Sequence, residues 1–532
     1  MILECHGPEY PMDILVPKYN YKGYHAYDEN GNECELKDGI FDVVSFKLPA
    51  NYNGKIYIKY IEPLYWRVAE MVSLVYIIYI LFRFIINRRD VIHIILPVLF
   101  IIVLMICTGV LIIGKYRKFI PVKVFRICFP VLSVVWFSVI IWNLDRNYDM
   151  LSYFKGQMKK SEFIENNYVD PRKVKLEFPE KKRNLIYIFV ESVETTVMDI
   201  DSGGLLNEHN YIPEMTKLVE DNIDFSQNND HSGAAVSPAS GWTVAGMVAE
   251  LGGMPLKMYD ESNKIDNSME DYKYFLPGMT TLGDILYDAG YNNYFMCGSD
   301  IGFGGRRNLL LQHGNYEIFD LMAARKEGKI SQTYFTFWGF EDSKLYEYAK
   351  EKITMLSTDD KLFNFTMLTV DTHMPEGYNC PLCNENDCEE PYGRVWHCAS
   401  RQLYSFVEWC KQQEWYDNTT IVICGDHCSM NVDFYKNLTN DKYRGQVKRG
   451  VYNCFINCPS KPVNNKNRKF TTMDIYPTTL AGLNVKIEGE RLSLGTNLFS
   501  DKETLAEEYG YDTLFEEIDS YSDFYNEEIL YP

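Results

Sequence analysis

Apolar and polar residues follow three different rhythms along this chain. In residues 1–61 they alternate, as in Val43-Val44-Ser45-Phe46-Lys47-Leu48 and Lys55-Ile56-Tyr57-Ile58-Lys59-Tyr60, with Gly and Asn between the runs. Alternation with period two predicts half-buried strands, so a small β-domain is expected there. Between residues 62 and 144 the alternation gives way to long apolar runs. Val91–Gly114 carries His93 but no Asp, Glu, Lys or Arg, and Ile127–Leu144 carries no charge until Asp145. Both are long enough to cross a bilayer core of about 30 Å as helices. Met71–Ile86 is weaker, because Arg83 interrupts it, and it either spans or lies in the interface. From Asn184 onward the runs become short and fully apolar, separated by helical patterns. Leu185–Val190, Phe365–Val370 and Thr420–Cys424 read as strands buried on both faces, the mark of a parallel sheet covered by helices. Thr281-Leu282-Gly283-Asp284 opens a helix that Gly290 ends, and Tyr294-Phe295-Met296 follows as another strand.

The basic residues between the two strong apolar runs (Lys115, Arg117, Lys118, Lys123, Arg126) place that loop on the cytoplasmic side, and everything after residue 144 outside. With two spans residues 1–61 are also outside; with three they are cytoplasmic. The expected organisation is a β-rich domain (1–61), a membrane region (62–144), a Lys-rich linker (145–183), an α/β domain (184–500) and an acidic helical segment (501–532) packed on it. The shift to apolar composition is internal, so no cleavable signal peptide is expected at the N-terminus. A formal net charge of −20 over 532 residues argues against nucleic acid as a partner. Four of the fourteen cysteines form the run Cys380-x2-Cys383-x4-Cys388-x9-Cys398. Outside the membrane they would pair as disulfides; the spacing also admits zinc or free thiols.

Candidate chemistry gathers where two apolar strands end. Glu191 follows Ile188-Phe189-Val190, and Asp426-His427 follow Ile423-Cys424-Gly425. Side chains just beyond the carboxyl ends of parallel strands share one edge of the sheet, so these three should converge. A third stretch, Ser240–Pro255, reads as a tight turn feeding a helix from Thr243 to Leu251, stopped by Gly252-Gly253. Thr243 at that N-terminus is either an N-cap or a nucleophile facing phosphate, where free N–H groups and the helix dipole favour an anion. Three oxygens and one imidazole suit Mn²⁺, Mg²⁺ or Zn²⁺. His231 and His313 read as structural histidines. Asp300 reads as a loop-fixing carboxylate.

Six blocks in order (Asn184–Ser192, Trp242–Leu256, Gly283–Gly314, Leu368–Gly377, Thr419–Met430, Asp474–Thr478) make this region resemble the phosphoglycerol transferases of the alkaline-phosphatase/sulfatase-like superfamily. These include lipoteichoic acid synthases and the transferases acting on periplasmic glucans. The resemblance implies an alkaline-phosphatase-like α/β sandwich with a mostly parallel central sheet. It also implies a single metal, usually manganese, on Glu191, Thr243, Asp426 and His427, with Thr243 as the nucleophile. His373 matches a histidine that contacts phosphoglycerol, and Arg306 a basic residue near the substrate phosphate. The implied donor is an anionic phospholipid, phosphatidylglycerol, and the implied acceptor an envelope glycan or polymer. Gly304 stands where lipoteichoic acid synthases carry Trp, so that part of their substrate packing does not transfer. Phosphoethanolamine transfer or plain phosphodiester hydrolysis would use the same scaffold, and a non-catalytic membrane receptor is the reading from another class. A sulfatase activity is disfavoured, since no Cys-x-Pro-x-Arg or Ser-x-Pro-x-Arg lies near Thr243.

Overall fold

The computed structural model describes residues 1–7, 9–19, 23–38, 43–61, scattered positions from 121 to 138, 160–204, 209–257, 269, 272–431, 434–435 and 449–531. They fall in two compact units, Met1–Tyr148 and Asp149–Pro532.

The first unit holds the expected alternating strands: β1 (Ile2–His6), β2 (Met12–Tyr19), β3 (Tyr24–Tyr27), β4 (Glu33–Cys34), β5 (Leu36–Asp38), β6 (Val43–Leu48) and β7 (Asn53–Tyr60). They pair antiparallel in two sheets, β1-β7-β3-β4 and β2-β6-β5. Alternate side chains (Val44, Phe46, Leu48; Ile56, Ile58) build its small core, as period two requires. The expected spans Met71–Ile86 and Val91–Gly114 lie outside the described residues. So does much of Ile127–Leu144, whose described Ile127, Val131, Val134 and Phe137 are helical and exposed. Among the described residues, no helix is long and apolar enough to cross a membrane.

In the second unit β8 (Leu176–Glu177) pairs with Lys486–Ile487, and the unit is built on a six-stranded sheet. Its strands are β9 (Asn184–Val190), β10 (Asn292–Cys297), β11 (Glu317–Phe319), β12 (Phe363–Leu368), β13 (Thr419–Gly425) and β14 (Asn453–Ile456), in the order β11-β10-β12-β9-β13-β14. All neighbours are parallel except β13 and β14, so the sheet is mostly parallel as expected. The continuous apolar strands bury both faces. Along β9, Leu185, Tyr187 and Phe189 enter one core, and Ile186, Ile188 and Val190 the other.

The first core is covered by α2 (Thr243–Gly252), α3 (Leu282–Asp288), α4 (Arg306–Gln312), α7 (Ile475–Gly482) and α8 (Tyr511–Asp519). The second is covered by α1 (Pro213–Asp221), α5 (Asp342–Leu356) and α6 (Pro391–Lys411). The Thr281/Asp284 pair forms the capping box that starts α3. The acidic C-terminal stretch packs on this unit through Leu514, Ile518, Tyr525 and Ile529. Tyr525 binds the segment after α2: its hydroxyl donates to Pro255 O at 2.8 Å and accepts from Lys257 N at 3.0 Å.

Candidate active site

Strand register decides where the chemistry collects. Val190 and Gly425 are direct partners at the ends of parallel β9 and β13, so Glu191 and Asp426-His427 leave the sheet side by side. Glu191, Asp426 and His427 are all buried, and their ligand atoms lie within 4.8 Å of one another. His427 Nε2 is 3.4 Å from both Glu191 Oε1 and Asp426 Oδ2.

Thr243 is brought to them by α2. It is the first helical residue; the N-cap is Trp242, and no side chain caps the helix there. Its hydroxyl is turned to the cluster, 3.3 Å from Glu191 Oε2 and 3.4 Å from His427 Nε2. Gly246 permits this approach, because a Cβ there would lie 1.9 Å from the Asp426 carbonyl oxygen. Gly253 ends the helix in the left-handed conformation.

Each ligand is held by a partner of its own. His427 Nδ1 donates to Cys428 O at 2.9 Å, which turns Nε2 toward the cluster. Asp426 Oδ1 accepts from Ser192 N (2.7 Å) and His427 N (2.9 Å). Ser192 takes a left-handed φ of 58°, a strained backbone for a non-glycine residue, and its hydroxyl donates to Glu191 Oε1 at 2.7 Å. Buried Glu194 accepts from Ser429 N (3.1 Å) and pairs with Arg449, whose Nε lies 2.7 Å from Oε2, so the loop after His427 is clamped.

Charge balance makes the set fit a cation. Burial would raise the Glu191 carboxyl, but the His427 imidazole more than offsets it and draws the pKa down to about 2. Burial, then the neighbouring Glu191 charge, pushes Asp426 up to about 7. Burial opposes a charged His427, yet Asp426 and Glu191 hold its pKa up to about 10. One proton thus balances two carboxylates, a task a divalent ion performs with more charge. Asp426 Oδ2 is buried without a hydrogen-bond partner, leaving a free ligand atom. Two carboxylates, an imidazole and a hydroxyl suit Mn²⁺, Mg²⁺ or Zn²⁺, and the donor set does not choose among them.

His373 comes from the loop after β12, the neighbour of β9. Thr372 Oγ1 donates to Glu191 O at 2.5 Å, tying this loop to the cluster. Asp342 accepts from Val370 N and Asp371 N at 2.8 and 3.0 Å and shapes the turn. The His373 ring lies against Trp338, with centroids 4.7 Å apart, and its Nδ1 faces Met374 O at 2.8 Å. Arg306 is buried, and its guanidinium donates to Phe303 O (3.0 Å) and Asp300 O (2.7 Å), holding its own turn together. That turn adjoins α2, since a Cβ on Gly304 would sit 3.7 Å from Val244 Cγ1.

His231 and His313 are structural, as expected: His231 pairs with Asp224 at 2.9 Å, and His313 faces Phe275 O at 2.7 Å. Sequence reasoning missed Ser192, Glu194, Arg449, Asp342 and Trp338. Only Ser192, inside the Glu191 block, carried a local signal.

The Sulfatase family model matches residues 183–485. Phosphoglycerol transferase I of Salmonella arizonae is 33% identical over 280 residues, covering 51% of this chain and 34% of the relative. The Escherichia fergusonii protein of the same name is 32% identical over 278 residues, with the same coverage. The chain therefore spans about a third of the length of these curated relatives. The crystal structure of the lipoteichoic acid synthase LtaP from Listeria monocytogenes aligns with TM-score 0.47 and 18% identity, over 64% of this chain and 81% of that one. With more than half its length matched by that model, the chain belongs to the Sulfatase family.

Proposed function

We propose that the protein is a divalent-metal-dependent phosphoglycerol transferase of the cell envelope, with Thr243 as its nucleophile. The observation that carries this reading is the Thr243 hydroxyl, 3.3 Å from Glu191 and 3.4 Å from His427 at the first turn of a helix. Glu191, Asp426 and His427, with the Thr243 oxygen, would hold the ion, for which manganese is the first choice. Such an ion lowers the pKa of the hydroxyl and neutralises charge on the phosphoryl oxygens.

Thr243 Oγ1 attacks the phosphorus of a phosphatidylglycerol-type donor. The Oγ1–P bond forms as the bond from phosphorus to the diacylglycerol oxygen breaks; Thr243 gives up its hydroxyl proton and the leaving oxygen takes one up. The hydroxyl oxygen of a glycan or polymer then attacks the same phosphorus: its bond to phosphorus forms as the Oγ1–P bond breaks, it gives up its proton, and Thr243 Oγ1 takes one up. His373, backed by Trp338, would bind the glycerol or protonate the leaving oxygen. Arg306, whose turn adjoins α2, would be the basic residue nearest the substrate phosphate. The apolar runs before residue 144 and the basic loop between them support a membrane anchor with the second unit outside. That arrangement brings the site to a lipid donor.

The test is to incubate the purified protein with labelled phosphatidylglycerol and Mn²⁺. Diacylglycerol release is expected from the wild type and none from Thr243→Ala. Equal release by both proteins would remove Thr243 from the mechanism, and release from phosphatidylethanolamine alone would reassign the donor.

A further inference from the structure

The second unit carries another cluster of metal-ligating side chains, away from the sheet edge. Cys380 and Cys383 lie in a tight turn closed by Cys383 N→Cys380 O at 2.9 Å, and Cys398 sits near the start of α6. The Sγ atoms of Cys380 and Cys398 are 3.6 Å apart, and those of Cys383 and Cys380 are 3.7 Å apart. All three sulfurs lie within 4.8 Å of one another. A disulfide would bring two of them to about 2.05 Å. Ligands on a tetrahedral zinc, each about 2.3 Å from it, stand about 3.8 Å apart. Two of the three S–S separations thus match the edges of a zinc tetrahedron, and the third lies within 4.8 Å.

The fourth corner also has a candidate. Gln402, one turn along α6, places its amide 3.3 Å from Cys398 Sγ and 4.0 Å from Cys380 Sγ. The nitrogen and oxygen of an amide are assigned from their surroundings, so the same side chain turned over presents an oxygen. Three thiolates select a soft or borderline ion, and zinc, which needs no redox partner, fits a closed tetrahedral site.

Cys388 does not join this group. It lies with His209 and His397, whose Nε2 atoms are 3.0 Å apart. That set has one sulfur, and the two imidazoles already satisfy each other through a hydrogen bond, so it makes the weaker case.

We infer that Cys380, Cys383 and Cys398 form a structural zinc site, with Gln402 or a water as fourth ligand. The ion would pin the segment running out of the His373 loop onto α6. Tyr378 N donates to Asp371 O at 2.7 Å and Gly377 N to His373 O at 3.0 Å, so the knuckle closes a loop that is already folded on itself. Binding releases the thiol protons and needs no oxidant.

The experiment uses the purified full chain, prepared without reductant, in an Asp426→Asn/His427→Gln background that removes the other metal. Metal analysis after dialysis against EDTA is expected to find about one zinc per chain. Cys380→Ser/Cys383→Ser should lower this at least tenfold, and the cobalt-substituted protein should show sulfur-to-cobalt charge-transfer absorption. Because the Cys variants could misfold, the chain with native cysteines is also titrated with an organic mercurial; zinc should leave in step with the loss of three thiols. Zinc unchanged in the Cys variants overturns the inference. So does the absence of zinc, a disulfide between any two of the three in the non-reduced peptide map, or zinc that follows Cys388→Ser instead.

Discussion

Two of the candidate metal-ligating clusters among the described residues are built on opposite principles. The ligands at the sheet edge come from residues 191, 243 and 426–427, and only the parallel register of β9 and β13 with the seating of α2 brings them together. The thiol cluster comes from residues 380–398, a turn and the helix that follows it. A site assembled from distant strands is as rigid as the sheet and can hold a reactive hydroxyl within a fraction of an ångström. A site made within one short segment can form locally, but it positions only that segment. Rigid long-range assembly suits catalysis and local assembly suits stapling, which is why we assign the two sites these roles.

Breaking the catalytic side has the largest expected effect. Thr243→Ala should lower diacylglycerol release about a thousandfold or more while manganese binding, followed by calorimetry, persists. Loss of metal and activity together would instead make Thr243 chiefly a ligand. Arg449→Met leaves Glu194 buried and unpaired beneath the His427 loop, and should cost about 3 kcal/mol in denaturant unfolding. A wild-type unfolding curve would mean that the clamp is dispensable.

Gly246→Ala sharpens the contrast, because it disturbs α2 and leaves the thiol knuckle untouched. The added methyl collides with the Asp426 carbonyl, so Thr243 should move from its ligands. Release is expected to fall about a hundredfold, with a destabilisation of about 2 kcal/mol. Zinc content should stay at the wild-type level, and a parallel fall would show the two sites to be coupled.

The smallest effect has the opposite sign. Burial, then the charge of Asp342, pushes Asp371 up to about 10, and neither of its carboxyl oxygens has a hydrogen-bond partner. The folded pKa thus lies above the unfolded value of about 3.9, so the group supports folding fully in acid and loses that support as pH rises toward 10. Asp371→Asn keeps the shape without the proton. It should be more stable than the wild type by about 2 kcal/mol at neutral pH, with the advantage vanishing near pH 3. Melting curves at both pH values check it, and an advantage that grows in acid would refute the assignment.

The sheet-edge site was legible because its signals are local to each strand. An apolar run ending in Glu or in Gly-Asp-His states both the strand and its end, and parallel topology supplies the meeting point. Thr243 was half legible: helix α2 begins as predicted, but Trp242 takes the N-cap position, and the hydroxyl is diverted to groups far away in sequence. Trp338 behind His373 was invisible, since nothing in Phe335-Thr336-Phe337-Trp338 announces which ring will face which loop. The cysteine run was misleading in its continuity. Spacing treats Cys388 as one of four, whereas the fold turns it toward His209, on a segment remote in sequence.

One feature of the C-terminal stretch reaches into how the protein is made. Ile529 O accepts from Gly278 N, Tyr521 O from Ser161 N, and Tyr525 buckles the exit of α2. A ribosome delivers all six sheet strands before it delivers these fastenings. The sheet can therefore be complete while α2 is still unsecured, and the helix is fastened only once residues 521–529 have been made.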